Sequence, residues 1–170
     1  AKNGHMLVAD NNELKWQAYN KLTHILTVGD GGQYTTISAA LADITDNSDL
    51  KRYLIKVGPG LFVEQITLKP FIDIEGSGEN QTIIKYTGGN TAPSTDSSSA
   101  TVIAVDSSID VSNCEIRFLT IESQASDVDY AIAVYNSTSS PEFQHVNIKA
   151  NSGVQENIAV YNTNSASPKI

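Results

Sequence analysis

No stretch of about eighteen apolar residues occurs in the sequence, and no basic segment running into an apolar one opens it, so neither a membrane-spanning helix nor a secretory leader is expected. Cys114 is the single cysteine, which excludes an internal disulfide and a multi-cysteine zinc site and leaves a small buried hydrophobe as its expected role. Charge is sparse, at 18% of residues against about 25% in ordinary domains. The balance is acidic: 11 Lys and Arg against 19 Asp and Glu give a net charge of −8. No cluster of cations interrupts it. A groove that tracks phosphates has no source of positive charge, so nucleic acid is not an expected partner.

Metal and nucleophile signatures are also missing. His5, His24 and His145 are far apart and show no ligand spacing. Asp127 and Asp129 stand in a turn before an apolar strand, without the loop that surrounds calcium in an EF-hand. A Ser-His-Asp arrangement has no local signature. No metal and no cofactor are expected.

What the sequence does hold is 40% hydrophobic residues, with Ser, Thr and Asn carrying the polarity, a composition suited to strands and turns around one core. Residues 1–27 read as an attachment segment. In Leu7-Val8-Ala9-Asp10-Asn11-Asn12-Glu13-Leu14-Lys15-Trp16, two short apolar runs flank an Asp-Asn-Asn turn, as in a small hairpin. The stretch from Gly4 to Trp16 resembles a Gly-x-x-Leu-x-Ala-Asp…Leu-x-Trp segment of phage tail and bacterial surface proteins. Residues 28–170 read as the main domain. The turn cluster Val28-Gly29-Asp30-Gly31-Gly32 precedes a short helix in which Ile37, Ala40, Leu41 and Ile44 share a face and Thr35 or Thr36 is the N-cap. That turn lacks the Lys-Ser/Thr ending of a nucleotide loop and reads as structural. From residue 53 onward, short strands such as Tyr53–Val57, Leu61–Leu68 and Thr82–Tyr86 alternate with Gly, Asn and Ser turns, and residues 87–100 form a polar excursion.

An imperfect repeat organises the second half. Ile-Ala-Val occurs at Ile103–Val105, Ile132–Val134 and Ile158–Val160; Leu119-Thr120-Ile121 is answered by Val146-Asn147-Ile148, and Ser140–Phe143 by Ser167–Ile170. The period is 26 to 29 residues. A unit of this length cannot close a core alone, but it makes one coil of a solenoid that buries its apolar face against the coils on either side. An antiparallel sandwich also shows short strands at intervals, but recurrence of one triplet at one place in each unit favours stacking in register. The expected fold is all-β, a right-handed parallel β-helix with a short N-terminal capping helix, cut at its C-terminal end where Ser167-Pro168-Lys169-Ile170 opens a coil.

The order of these elements resembles the pectinesterase-like right-handed β-helices of the pectin lyase-like group. The resemblance rests on Gly29–Leu41, Tyr53–Glu64, Ile74–Ile84 and Ser99–Val102. It implies two Gln residues building an oxyanion site, two Asp residues as acid and nucleophile, and an Arg holding one Asp ionised. Tyr130 stands where the first Gln belongs, before Ala131-Ile132-Ala133-Val134. Gln155 and Glu156 stand where the second Gln and first Asp belong, with Glu for Asp; as plain residues they also read as a solvated turn. The second Asp and the Arg would fall beyond Ile170. Tyr130, Tyr135 and Tyr161 suggest a stack between coils or a sugar-binding surface. The expectation is a structural and adhesive β-helix module of a virion tail fibre or cell-surface protein, extracellular or on the virion, offering these side chains to a glycan or polysaccharide and assembled as a homo-oligomer such as a trimer. The alternative is part of a carbohydrate esterase or polysaccharide lyase.

Overall fold

A computed structural model describes residues 5–10, 13–18, 22–87, 100–105, 111–125 and 130–170. Strands β1 (His5–Asp10) and β2 (Glu13–Ala18) pair antiparallel, from His5 opposite Ala18 to Asp10 opposite Glu13, as the hairpin expected there. The remaining elements are β3 (Leu22–Val28), α1 (Ile37–Asp43), β4 (Arg52–Val57), β5 (Gly60–Val63), β6 (Ile66–Thr67), β7 (Ile72–Glu75), β8 (Thr82–Tyr86), β9 (Ala100–Val105), β10 (Glu115–Gln124), β11 (Tyr130–Ser137), β12 (Glu142–Asn151) and β13 (Glu156–Thr163).

Every pairing among the named strands from β3 onward is parallel. Parallel neighbours need a crossover of a dozen or more residues. Here the crossover is the rest of the coil, so each coil contributes to three faces. The first face stacks β3, β4, β7 and the leading parts of β10 and β12. The second stacks β5, β8 and the trailing parts of β10 and β12. The third stacks β6, β9, β11 and β13. The fold is a right-handed parallel β-helix.

Registration places one apolar column behind each face. Leu26, Ile55, Ile74, Ile116 and Phe143 line the first. The second column is Phe62, Ile84, Ile121 and Ile148, and the third is Ile66, Val102, Val134 and Val160. All belong to or pack against one core. Each fully buried aliphatic side chain contributes on the order of 2 kcal/mol, and stacking makes that burial continuous.

Two expectations need correction. The alignment of Val105 with Val134 is off by three: Val102 faces Val134, and Val105 faces Ser137. The later triplets do align, Ile132 on Ile158 and Val134 on Val160, as do Leu119-Thr120-Ile121 on Val146-Asn147-Ile148. Glu142 likewise lies opposite Lys169. The misalignment arises because Ile103 and Ile132 both point outward, so the shifted triplet keeps its face while losing its register. The boundary drawn after residue 27 also falls inside β3, whose Leu26 already belongs to the first column.

Helix α1 closes the N-terminal end of the tube. Thr36 is its N-cap, accepting from the Ala39 amide at 3.2 Å, and Ile37, Ala40 and Leu41 are buried. Side chains one coil away hold both ends. The Glu64 carboxylate accepts from the Ile37 and Ser38 amides at 2.9 and 2.8 Å, while Lys69 Nζ donates to the Leu41 and Ile44 carbonyls at 2.6 and 2.9 Å. An anion at the N-terminus and a cation at the C-terminus both match the helix dipole.

Candidate functional site on the third face

The third face has an apolar cluster of its own on the outside. Ala100, Ile103 and Ile132 are buried there, with Tyr135, Ile158 and Tyr161 packed on them. Strict alternation along β11 would turn Tyr135 inward if Tyr130 and Ile132 point outward. Ala133 resolves this. It has no partner in the register with either β9 or β13, and both Ala133 and Val134 belong to the interior core. Thr101 and Ala159 are skipped at the same level, so the three strands bend together there and Tyr135 returns to the outer surface beside Ile103 and Tyr161.

The structure brings most of the expected residues together on this surface. Tyr130 lies directly opposite Glu156 in the register, and Tyr135 opposite Tyr161. The two tyrosine rings stack with centroids 5.5 Å apart and planes 24° apart. The next residue of the repeat, Asn136, donates from Nδ2 to Asn162 Oδ1 at 2.9 Å and is fully buried. This amide ladder explains why Tyr-Asn recurs as a pair.

Gln155 sits in the bend before β13, exposed beside Glu156. Gly153 sets that bend. A Cβ on it would collide with the Glu156 carbonyl and press on the Ala131 amide. The Gly153 amide donates to Asn157 Oδ1 at 2.8 Å, and Asn157 Nδ2 donates back to the Gly153 carbonyl at 3.4 Å. The chain is thus drawn tight against β11, presenting Glu156 at the mouth of the strand pair. Glu156 is the one carboxylate on the four strands of this face. It can accept hydrogen bonds from hydroxyls or serve as a base, and Tyr130 beside it can donate or accept.

Other candidates lie elsewhere. His24 meets Tyr53 edge-on with centroids 4.9 Å apart, and His145 stacks on Phe118 at 5.1 Å and 8°. Asp127 and Asp129 lie outside the described residues, as does the side chain of His5. Cys114 is buried, its Sγ donates to the Lys69 carbonyl at 2.8 Å, and burial pushes its thiol up to about 11, which removes it as a nucleophile at neutral pH. A concavity of about 470 Å³ opens at the other end of the tube, between the Gly29–Gly32 turn and Pro59–Glu64. Its Glu64 carboxylate is committed to the helix, which leaves Asp30 as the other carboxylate on the lining.

Three faces of parallel strands wound about one core define the right-handed parallel β-helix as the class of this fold. Among solved structures, the chain is similar to pectin methylesterase from carrot, at 25% identity and a TM-score of 0.58 over 78% of this chain and 41% of that one. It is similar to pectin methylesterase PemA from Erwinia chrysanthemi, at 17% identity and a TM-score of 0.59 over 84% of this chain and 46% of that one. The pectin methylesterase from Aspergillus niger matches at 23% identity and a TM-score of 0.59, over 88% of this chain and 51% of that one. The chain thus spans about two fifths to one half of the length of these enzymes. The pectinesterase-like β-helix inferred from the residues is confirmed as the fold. No family model and no curated protein matches the chain.

Proposed function

We propose that this chain is part of a carbohydrate-directed protein of the pectin-methylesterase kind, and that the outer surface of its third face carries the polysaccharide. The observation behind this is the register that sets Tyr130 against Glu156 and Tyr135 against Tyr161, on a fold whose solved neighbours are pectin methylesterases. Glu156 accepts from sugar hydroxyls, Gln155 accepts and donates, and Tyr130 and Tyr161 supply two more hydroxyls. No helix among the described residues is long and apolar enough to cross a membrane, and an extracellular setting fits a polysaccharide ligand.

Affinity electrophoresis in gels containing plant pectins tests the reading. Retardation of the 170-residue protein is expected, with about tenfold weaker binding for Tyr161→Ala and a far-ultraviolet spectrum unchanged. Unretarded migration in every polysaccharide gel would sink it. A purely adhesive use of the same surface is favoured by one observation: Tyr130, and not Gln, faces Glu156. Binding without methanol release from esterified pectin is the expected sign of that use.

A further inference from the structure

Three strand edges meet the N-terminal end of the tube, those of β3, β5 and β6, since each is the first of its face. Two of them are covered. Helix α1 packs on β3 and β6, and Tyr34 bridges Val28 at the end of β3. The edge of β5 is open. Its Gly60 and Glu64 amides donate to the Gln81 and Lys85 carbonyls of the neighbouring coil. By alternation, the amides and carbonyls of Leu61 and Val63 point the other way, into the concavity of about 470 Å³ whose far wall is the Gly29–Gly32 turn. No strand among the described residues pairs on that side. The Leu61 and Val63 side chains are also 59% and 61% exposed. An open edge with apolar side chains beside it is a template for one more strand.

The hairpin is the other incomplete piece of sheet. Among the described residues β1 and β2 pair only with each other, and a two-stranded hairpin by itself is marginal in water. We propose that the hairpin of a second copy lies along β5 and adds β2 to the second face, each copy giving its hairpin to the other. This is independent of what the third face binds. The short tether favours exchange over self-closure. Three residues, Tyr19, Asn20 and Lys21, join β2 to β3, and the four steps from Ala18 to Leu22 span at most about 14 Å. Leu22 opens β3 at the end away from the groove, whereas Gly29, just past the other end, lies beside Gly58 and Phe62. The six steps of β3 are about 20 Å long. Serving its own β5 would therefore demand a fully stretched tether and a strand bent round the corner. Charge suits the exchange as well: the groove lining holds Asp30 and Glu64 and no cation, and β2 brings Lys15 between Leu14 and Trp16. Leu14 and Trp16 stand two residues apart, as Leu61 and Val63 do, so the two apolar pairs fall on one side of the enlarged sheet.

Trp16 is the only tryptophan of the chain, so intrinsic fluorescence reports on the hairpin alone. Light scattering and emission spectra of the full chain, taken from about 1 to about 100 μM, bracket the affinity of a modest interface. The expected result is a mass that reaches twice the 18.2 kDa of one chain, with Trp16 emission moving to the blue over the same range. Val63→Pro removes an amide that faces the groove and leaves the β5–β8 bonds in place, a substitution an edge strand tolerates. It should weaken the dimer at least about tenfold with the far-ultraviolet spectrum unchanged. Leu61→Lys, an edge charge of the kind that guards open strands, should do the same. A mass of one chain throughout, with emission indifferent to concentration, overturns the proposal. A dimer that survives both substitutions overturns it too, by placing the interface elsewhere. So does a single chain whose Trp16 emission moves to the red on Val63→Pro, since the hairpin would then serve its own β5.

Discussion

The first and third faces of the tube share an interior and differ outside. Behind both lies an unbroken aliphatic column, Ile55-Ile74-Ile116 in one and Val102-Val134-Val160 in the other. Outside, the first face is tied by alternating charge: Glu75 takes Arg117 at 2.8 Å and Lys56 at 3.3 Å, and Arg117 also takes Glu115 at 2.6 Å. The third face exposes amides, hydroxyls and a single carboxylate over a second apolar cluster. The columns specify the fold, and they would do so on any side. On the third face the outer groups meet through the Asn136–Asn162 amide bond and the Tyr135–Tyr161 stack, with no ion pair between its strands.

If that division holds, breaking a column should hurt stability wherever it is done, and breaking the outer rim should not. Ile116→Ala removes a fully buried side chain between Ile74 and Phe143, and about 3 kcal/mol of unfolding free energy should be lost. Tyr161→Ala leaves the columns intact and should cost about 1 kcal/mol, the worth of an aromatic pair, while weakening polysaccharide binding about tenfold. Urea denaturation of both variants measures the contrast. Equal stability losses would mean that the tyrosine stack is structural.

The helix cap gives the next effect. Glu64 supplies both oxygens to the first turn of α1, and Glu64→Ala strands two amides at the end of the tube. A loss of about 2 kcal/mol is expected from two charge-assisted bonds at a helix N-terminus. Hydrogen exchange should then rise first in α1 and β3, with β11 and β13 unaffected, since the damage sits at the other end of the tube.

The charge ladder of the first face adds a pH dependence. Burial pushes the Glu75 carboxyl up, but the Arg117 and Lys56 bonds outweigh it and hold the group below its ordinary value near 4.5. A carboxyl depressed in the folded state contributes stability above its ordinary range and loses it as pH falls through the folded value. Stability should therefore decline below about pH 4.5, and Glu75→Gln should flatten that acid limb while costing about 1 kcal/mol at pH 7. Urea midpoints from pH 7 to pH 3 for the two proteins check both points. An unchanged acid limb would remove Glu75 as its source.

Local signals in the sequence were enough for some of this architecture. The helix was readable because Thr36, Ile37, Ala40 and Leu41 follow a 3.6-residue period with a capping residue in front. The last two coils were readable because Ala-Val-Tyr-Asn repeats intact, and the spacing of two such units is the register itself. Val102 was hidden because the outward Ile103 imitates the outward Ile132, and no local rule says which apolar residue turns in where the strands bend. The clamp of Glu64 and Lys69 on α1, and the bond of Arg117 to Glu75, join residues 25 to 42 positions apart; nothing in the neighbourhood of either partner announces them. Within the site, the positions of Tyr130 and Glu156 were legible from the strand pattern, whereas their direct opposition, and the return of Tyr135 to the outer surface, depend on Ala133 and on the tight approach at Gly153.

The smallest effect expected is at the corner between the first and second faces, where Phe118 and His145 both take positive φ, 56° and 51°, and stack on each other. Each sits where its strand turns from pairing on one face to pairing on the next, and each is skipped by the β10–β12 register. The corner demands a left-handed residue, which costs a bulky side chain about 1 kcal/mol. The stack returns a similar amount. His145→Asn keeps a residue that tolerates the conformation, relieves the strain and deletes the stack, so the two terms should cancel to within about 0.5 kcal/mol. A urea midpoint close to that of the parent protein is the expected result. A loss above about 1.5 kcal/mol would instead mean that the aromatic ladder itself bends the coil, and that the corner, like the columns, belongs to what holds the fold together.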